Sequence, residues 1–514
     1  MVLQPYNRFT GDVSPYVQPL PPYGEIRVDI AAGTIEATTD FAGLARIYWY
    51  ATEDLVIVTN HPIALAAAPR IGFQPDLFTF ASVAGIGWAL GDTTFDARVS
   101  HLRPSARLTA AVQPDNRLLV RFRDADPLKD ILAGSGSLWD RARRWLTPAH
   151  AGLEARQAEA AKALSSVAGE IAAMAGDNFK IALTGGRDSR LLAALFLSSG
   201  ARPRFNTTNL FEDETRVVQE LLSRVGRLDD LKISEPMKRP RPTEGAYFER
   251  AMARALSTSG FAASADIGRG SAFKGLSGRP DGLLHISGAA GEMGHGHFYP
   301  KARKRFNTLP STPDMIARLV AQLGYAAAGS ETSVSLITDY IRTFFAIHSP
   351  TAQEPLHVLD RFYLYERFRR WSHSSISVVT AAPLAHIGFA AQTLRTASTD
   401  LRNNAFHHAL IARWMPEWSD VRFFKGGGGV KTNTHSLSVE TARSFVDYAA
   451  SKPELAELID WARLEHTLEH WDAEPRAKRE ALVKNALWLG TILDAFKSVA
   501  EEGRRRALAT PQAE

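Results

Sequence analysis

The residues best suited to chemistry lie together in T-G-G-R-D-S-R, residues 184–190, directly after an apolar run. Gly185 and Gly186 lack the side chains that would keep phosphate groups away from backbone N–H groups. Ser189 can add a hydroxyl donor, and Asp188 suits a Mg²⁺ ion that bridges phosphates. The segment is neither a Walker P-loop nor a G-x-G-x-x-G fingerprint. It predicts a nucleotide site of another type. The alternative is a glycine-containing turn in which Asp188 only caps the following helix.

Strand-like and helix-like segments alternate around this loop. A strand is predicted directly before it and a helix directly after it. A second helix, from about Glu212, carries Val218, Leu221, Leu222 and Val225 on one face. Strands are predicted at F-K-I-A-L-T, R-F-N-T-T, L-K-I-S and G-L-L-H-I-S. This alternation favours a parallel sheet with helices on both faces, in which ligands bind at the carboxyl ends of the strands.

The composition along the chain predicts three domains and a linker. Up to residue 125, short strand-like segments such as E-I-R-V-D-I are separated by Gly, Asp and Pro. We therefore expect a β-rich domain at 1–125, a linker at 126–152, a nucleotide-binding domain at 153–435 and a helical extension at 436–514 with a frayed end. One buried stripe is predicted on the first helix of the second domain, formed by Leu164, Val167, Ile171 and Met174.

The composition also excludes several kinds of chemistry. The 514 residues include no cysteine, which excludes thiol nucleophiles, disulfides, zinc–thiolate sites and iron–sulfur clusters. The formal net charge of +5 is small for this length and disfavours nucleic acid as a partner. The sequence has neither a long apolar run nor a recognisable signal peptide, so we expect a cytoplasmic protein without a membrane segment.

The T-G-G-R-D-S loop resembles the S-G-G-x-D-S pyrophosphate loop of the asparagine synthetase family, whose relatives include β-lactam synthetase and the lasso peptide cyclases. Thr184 keeps the hydroxyl of the usual serine. I-S-G-A-A-G-E-M-G-H-G is similar to the family's second loop, and F-F-K-G-G-G-G to its late loop. The resemblance implies an α/β fold with a parallel-sheet PP-loop (adenine nucleotide alpha hydrolase-like) domain and C-terminal helices. It also implies that Thr184 and Gly288 bind ATP, that Glu292 joins Asp188 at Mg²⁺, and that Lys425 reaches the phosphates.

The N-terminal zone is similar to the back half of the family's glutaminase domain, through D-F-A-G-L-A-R-I-Y-W-Y and H-L-R-P-S-A-R-L. That domain needs a cysteine at position 2 as its nucleophile, whereas this chain has Val2. Nothing else in the chain could supply an activated thiolate. We therefore expect a degenerate, truncated glutaminase-like domain that does not hydrolyse glutamine and instead serves as a scaffold or docking surface.

The resemblance implies an ATP-dependent ligase that adenylates a carboxylate, releases pyrophosphate and transfers the acyl group to an amine. In lactam-forming relatives a Tyr–Glu pair helps to deprotonate the amine. Y-E-R-F-R-R-W resembles the segment that lines the acceptor site, and it places Glu366 near the glutamate position, whereas the tyrosine position holds Ala289. A single buried carboxylate can still act as a general base. The expected partners are carboxylate and amine substrates, small or peptidic, with a precursor peptide or a protease as further candidates.

Several alternatives stay open at this stage. The enzyme could be a macrolactam-forming cyclase, or the chain could bind ATP without catalysis, with Arg187 and Arg190 in place of magnesium. Thiolation or adenylation of RNA is disfavoured by the absence of cysteine and by the modest charge. Glu292 could be a solvated carboxylate, Lys425 could lie in a flexible surface loop, and Glu366 could pair with arginines of its own helix. His285, His295 and His297 could suggest a metal site, but zinc is disfavoured because the H-x-H pattern at 295–297 lies in a glycine-rich loop without a nearby third ligand of fixed geometry.

Overall fold

The chain is a mixed α/β protein in the computed structural model, which describes residues 2–3, 20–133, 152–235, 243–260, 283–300, 311–352, 354–371, 380–424 and 436–509. One sheet is parallel and two are antiparallel. Within the described ranges, each helix is too short or too polar to cross a membrane. Most of the buried apolar side chains in the two larger cores belong to helices.

Thirteen strands lie in the described part of the chain. In chain order they are β1 Val2–Leu3, β2 Gly24–Asp29, β3 Thr34–Thr39, β4 Tyr48–Ala51, β5 Val56–Thr59, β6 Ser100–His101, β7 Ala106–Val112, β8 Leu118–Asp124, β9 Phe179–Ala182, β10 Arg204–Thr208, β11 Leu231–Ser234, β12 Leu284–Ile286 and β13 Thr380–Ala381.

The α-helices of the same ranges are α1 Ile63–Ala66, α2 Leu77–Ile86, α3 Pro127–Ala133, α4 Leu153–Ala175, α5 Asp188–Ser198, α6 Glu212–Arg224, α7 Glu244–Thr258, α8 Thr312–Leu323, α9 Glu331–His348, α10 His357–Phe362, α11 Arg369–Trp371, α12 Ile387–Thr393, α13 Ser398–Arg402, α14 Ala405–Trp414, α15 Val439–Ala450, α16 Trp461–Glu469 and α17 Arg476–Ala509. A π-helical turn, Tyr363–Phe368, connects α10 to α11.

The parallel sheet has the strand order β11-β10-β9-β12-β13, and all four of its strand pairs are parallel. The prediction of a parallel sheet is therefore confirmed. The first of these strands along the chain, β9, lies in the middle, and Ile181 pairs with Ile286 of β12. Successive strands are added on one side of β9 and then on the other. Such a reversal of strand order forms the crevice in which α/β sheets bind ligands.

The N-terminal strands form two antiparallel sheets, with the orders β1-β2-β3-β7-β8 and β5-β4-β6. A small apolar core lies between them, formed by Ala37, Ile47, Leu102, Ala106 and Leu108, but other N-terminal residues join the two larger cores. Trp88 and Leu128 belong to the apolar core that contains the parallel sheet, whereas Phe80 shares a second core with α7 and α17. The expected domain limits stay a prediction, but the two larger cores extend across them.

Two local predictions were wrong, those for Met174 and for the end of the chain, whereas the linker stays a prediction. The expected linker begins with α3, because Leu128 and Leu132 are buried in the core; residues 134–151 lie outside the described residues. Met174 is 61% exposed, although the other three residues of its predicted stripe are buried. The expected frayed end is helical as far as Ala509, since α17 packs so closely that a Cβ on Gly503 would lie 1.9 Å from the carbonyl oxygen of Ala67.

Candidate functional site

The T-G-G-R-D-S-R loop connects the carboxyl end of β9 to the first residue of α5. Its two hydroxyl side chains hold it in a compact turn. Ser189 Oγ accepts a hydrogen bond from the Thr184 N–H at 3.0 Å and lies 2.9 Å from Thr184 Oγ1. Thr184 is exposed and Ser189 half-buried. The structure therefore brings these two predicted ligand-binding hydroxyl groups together at the open side of the loop.

The two glycine amides of the loop already have acceptors within the chain. The Gly185 N–H donates to Glu214 Oε1 at 3.2 Å, and the Gly186 N–H donates to Thr184 Oγ1 at 3.2 Å. Glu214 lies in the first turn of α6, which is acidic, as the sequence indicated. A carboxylate therefore lies beside an amide that the sequence assigned to phosphate, and the two anions would repel each other.

Asp188 is the first residue of α5, but it does not cap the helix. The capping position is occupied by Arg187, and no side chain makes a capping hydrogen bond there. Instead, the buried His407 of α14 contacts Asp188 Oδ1 through Nε2 at 2.7 Å. Burial alone would raise the pKa of Asp188, but the hydrogen bond from His407 and nearby positive charge hold it below its usual value. Asp188 is thus an ionised carboxylate with one oxygen held by a protein donor.

The loop that follows β12 lies directly against Asp188. A Cβ on Gly291 would lie 2.4 Å from Asp188 Oδ1, and one on Gly288 would lie 3.2 Å from Asp188 Cβ. Between them, Ala290 has a φ of +71°, a conformation that non-glycine residues rarely adopt. The absence of side chains at the two glycines permits this approach. The structure therefore brings together the two loops predicted to form the nucleotide site.

Glu292 follows in the same loop, in a short 3₁₀ turn at Gly291–His295. Its Oε2 accepts a hydrogen bond from the Tyr363 hydroxyl at 2.7 Å. Burial raises the pKa of Glu292, and the negative charge of Asp188 raises it further. This is not a solvated carboxylate. Two neighbouring carboxylates, each oriented by one donor, are a donor set that fits Mg²⁺, which would also relieve their repulsion.

The segment before the predicted late loop is fixed to the glycine turn. Arg190, which is 1% exposed, donates to the carbonyl oxygens of Gly185 (3.2 Å) and Arg422 (3.0 Å). Burial lowers the pKa of Arg190 to about 10. The Phe424 N–H also donates to Gly185 O at 2.9 Å. Lys425, the next residue, and the glycines after it lie outside the described residues.

Glu366 lies in the π-helical turn and contacts residues other than the arginines of its own helix. Its Oε1 accepts from the Tyr340 hydroxyl at 2.6 Å, and its Oε2 accepts from the Gly91 N–H at 2.8 Å. Burial raises the pKa of Glu366, and Arg369 and Arg370 partly offset this effect. It lines a cleft of about 890 Å³ between the N-terminal strands, α3 and α9. Glu366 therefore has a tyrosine hydroxyl, supplied by α9, as a hydrogen-bond partner.

His295 and His297 of the second loop lie close enough to Asp188 for an electrostatic interaction. Burial lowers the pKa of His295 to about 3, so this imidazole is neutral near pH 7. Its ring lies 5.7 Å from that of His407. The His297 ring lies 5.2 Å from that of Tyr363.

The sequence did not predict the roles of four residues in this site: Arg190, Glu214, Tyr363 and His407. Arg190 has a structural role, because it hydrogen-bonds the glycine turn to the segment that ends at Phe424. Glu214 was indicated only as part of an acidic helix. The other three lie in apolar or basic patterns typical of buried helices. No local sequence pattern identified them, because each makes its contact with a residue that is distant in the sequence.

No family model matches the chain, and no curated protein is significantly similar to it. The resemblance to the asparagine synthetase family therefore depends on the loops themselves.

Proposed function

We propose that the chain is an ATP-dependent amide-bond-forming ligase of the PP-loop type. It would adenylate a substrate carboxylate, release pyrophosphate and transfer the acyl group to an amine, without glutaminase activity. The observation that carries this proposal is that the loop after β12, which contains Glu292, lies against Asp188 where the strand order reverses, close enough for the charge of Asp188 to act on Glu292. Ligand sites of doubly wound sheets lie at this position, and paired carboxylates suit a cation that accompanies phosphates.

The chain's own residues would bind and orient the reactants. Asp188 and Glu292 would hold Mg²⁺, whose charge offsets that of the phosphates. Thr184, Ser189 and the N-terminus of α5 would face the pyrophosphate portion of ATP, since a helix N-terminus favours anions. His407 and Tyr363 would fix the orientation of the two carboxylates.

Three further positions complete the proposed ATP site. Gly186 and Gly288 keep the approach to the phosphates free of side chains, and Lys425 is proposed to neutralise charge on the phosphates. Gly185 permits the approach of Phe424, whose Cβ would lie 2.6 Å from a Cβ on this glycine. The segment that leads to Lys425 is therefore held against the loop that would bind ATP.

For the amine, we propose Glu366 as the proton acceptor, with Tyr340 as its hydrogen-bonded partner. A carboxylate with a raised pKa is a better base near neutral pH than an ordinary glutamate. The adjacent cleft is large enough for a ligand of drug size. It could admit a small amine or part of a peptide, so a macrolactam-forming peptide cyclase stays an alternative within the same reaction class.

A second candidate, an ATP-binding protein without catalysis, is favoured by one observation. The amides of Gly185 and Gly186 are already satisfied by Glu214 and Thr184. ATP would have to displace these contacts, and Arg187 beside them could bind phosphate without supporting turnover. Turnover with a matched acid and amine distinguishes the two candidates.

The first test is calorimetric binding of a non-hydrolysable ATP analogue, with and without Mg²⁺, to the wild type, Asp188→Asn and Glu292→Gln. Asp115→Asn, in an exposed turn, is the matched control. We expect Mg²⁺-dependent binding that both site variants weaken at least about tenfold, or 1.4 kcal/mol, while the control binds like the wild type. An affinity that is the same with and without Mg²⁺, and the same in both site variants as in the wild type, would reject the proposed site. Screening of acids and amines for pyrophosphate release then tests catalysis.

A further inference from the structure

A second side-chain cluster with metal-ligand chemistry lies at the C-terminal end of α16, in the helical C-terminal region. His466, Glu469 and His470 form the pattern H-x-x-E-H, and all three are exposed. Residues three and four apart share one face of a helix. One ligand atom from each residue lies within 4.8 Å of those of the other two, and the two imidazole rings lie 4.2 Å apart.

The opposite face of α16 fixes this orientation. Leu464 and Leu468 are buried in the core that also contains α15 and α17, and Thr467 is buried beside them. Burial of these side chains directs the residues at 466 and 469 toward solvent. The cluster therefore belongs to a helix whose rotation is set by packing.

A backbone contact prepares His470 as a ligand. Its Nδ1 lies 3.0 Å from the carbonyl oxygen of His466. A carbonyl oxygen can only accept, so Nδ1 carries the proton in this contact, and the lone pair of the neutral ring is on Nε2. Metal-binding histidines usually donate their second N–H in this way, which fixes the tautomer and the orientation of the ring.

The electrostatic surroundings favour a cation. α16 ends at Glu469, and the carbonyl groups of the last turn give a helix C-terminus a partial negative charge. Arg443 is a positive group near the cluster; it interacts with Glu469, but its guanidinium donates hydrogen bonds to both oxygens of Glu465. Glu469 is thus accessible to an added cation.

We propose that His466, Glu469 and His470 form a surface site for a divalent transition metal, for which Zn²⁺ is a suitable probe. Two imidazoles and one carboxylate are a known zinc ligand set, and a hard cation such as Mg²⁺ would prefer oxygen ligands alone. The exposed position leaves a fourth ligand position for water. The site is independent of the proposed ATP site, because α16 lies in the other core.

The test compares Zn²⁺ binding to the full-length wild type and to the double variant His466→Asn/His470→Asn. The chain has 15 histidines, so the informative quantity is the difference in equivalents bound, measured by calorimetry. We expect the double variant to bind one equivalent fewer, and Glu469→Gln to weaken that equivalent at least about tenfold. The control Glu457→Gln, which changes another exposed carboxylate, should bind like the wild type.

Labelling with diethyl pyrocarbonate and peptide mapping locate the ion independently. Zn²⁺ should protect His466 and His470 from modification in the wild type. The melting temperature without metal shows whether the double variant is folded like the wild type. If it is, and both proteins bind the same number of zinc equivalents, the proposal is overturned. Labelling of the two histidines that does not respond to Zn²⁺ would also overturn it.

Discussion

His407 contacts Asp188 Oδ1 at 2.7 Å and thereby joins residues separated by 219 positions in the sequence. The other ring nitrogen of His407, Nδ1, is buried without a hydrogen-bond partner among the described residues. A proton on Nδ1 would lack an acceptor, so the Nε2–H tautomer fits the site. Asp188 therefore receives a directed hydrogen bond that orients its carboxylate toward the loop containing Glu292.

The first prediction concerns this contact. His407→Phe keeps a ring of similar size but removes the donor, and it should weaken Mg²⁺-dependent binding of an ATP analogue about 10- to 100-fold. His408→Phe, an exposed neighbour, is the control. Calorimetry measures the affinity of each variant. Equal affinities for wild type and His407→Phe would show that Asp188 needs no orienting partner.

The same variant should change the pH dependence of stability. The pKa of Asp188 is lower in the folded state than its unfolded value of about 3.9, so its ionisation stabilises the fold above that pH. This contribution disappears as the pH falls through the folded pKa. Because the His407 hydrogen bond lowers that pKa, the stability difference between wild type and His407→Phe should be present at pH 7 and shrink toward pH 3. Thermal unfolding of both proteins between pH 7 and pH 3 tests whether the stability difference shrinks in this direction.

A second prediction tests the close approach of the two loops. A Cβ at Gly291 would overlap Asp188, with 2.4 Å to Oδ1 and 2.7 Å to Cβ. Gly291→Ala should destabilise the fold by about 1–3 kcal/mol and abolish Mg²⁺-dependent nucleotide binding. Gly288→Ala should have a smaller effect, because its nearest contact is 3.2 Å.

Gly169 provides the control for this series. It lies within α4, where an added Cβ would have no neighbour within 4 Å. Gly169→Ala should therefore stabilise the protein by about 0.5–1 kcal/mol through helix propensity. Denaturant unfolding gives all three values. A Gly291→Ala variant that binds the nucleotide normally would mean that the site does not require the approach of the second loop to Asp188.

The sequence predicted the strands and loops of the site because these features are local. Two glycines followed by Asp188 and Ser189, after an apolar run, specify a strand, a turn and a helix over a dozen residues. The partners that orient the carboxylates were not predicted. Tyr363 and His407 are provided by helices in which an aromatic residue or a histidine fits an ordinary buried position. Only the tertiary packing determines that these two face a carboxylate.

The wrong predictions have a related cause. The periodicity of apolar residues predicts which face of a helix is apolar. It does not predict where the neighbouring elements that pack against that face end. Met174 continues the stripe of α4, yet it lies one residue before the helix ends and is exposed. Conversely, the polar composition around Pro127 concealed α3, whose Leu128 and Leu132 complete the core.

A third prediction concerns Glu214, which accepts the N–H of Gly185 at 3.2 Å. If phosphate binds to this loop, the carboxylate competes for the amide and repels the ligand. Glu214→Gln removes the charge and keeps the size of the side chain, so it should bind the ATP analogue more tightly, by up to about tenfold or 1.4 kcal/mol.

Asp213→Asn is the matched control for Glu214→Gln, since Asp213 lies in the same helical turn but contacts Arg216 at the surface. An equal gain in both variants would indicate a general charge effect, which added salt should screen. Weaker binding by Glu214→Gln would instead show that Glu214 supports the loop in its ligand-binding form.

The last prediction separates a structural role of Glu366 from a catalytic one. The Tyr340 hydroxyl bond lowers the pKa of this buried carboxylate, although burial keeps the net pKa raised. Tyr340→Phe should therefore raise the pKa further and destabilise the fold by about 1–3 kcal/mol when Glu366 is ionised. The loss should diminish on acidification, as protonation of Glu366 removes the charge that the hydroxyl stabilises. The exposed Tyr325→Phe should change stability by less than about 0.5 kcal/mol.

Turnover completes this test once an acid and an amine are found. If Glu366 accepts the proton of the amine, Glu366→Gln should leave pyrophosphate exchange intact but lose amide formation. Tyr340→Phe should then shift the acidic limb of the kcat profile to higher pH, because the hydroxyl no longer lowers the pKa of the base. If Glu366→Gln instead loses stability but still forms the amide normally, the role of the Tyr340–Glu366 pair is structural. The pair would then only connect α9 and the π-helical turn with Gly91 of the N-terminal region.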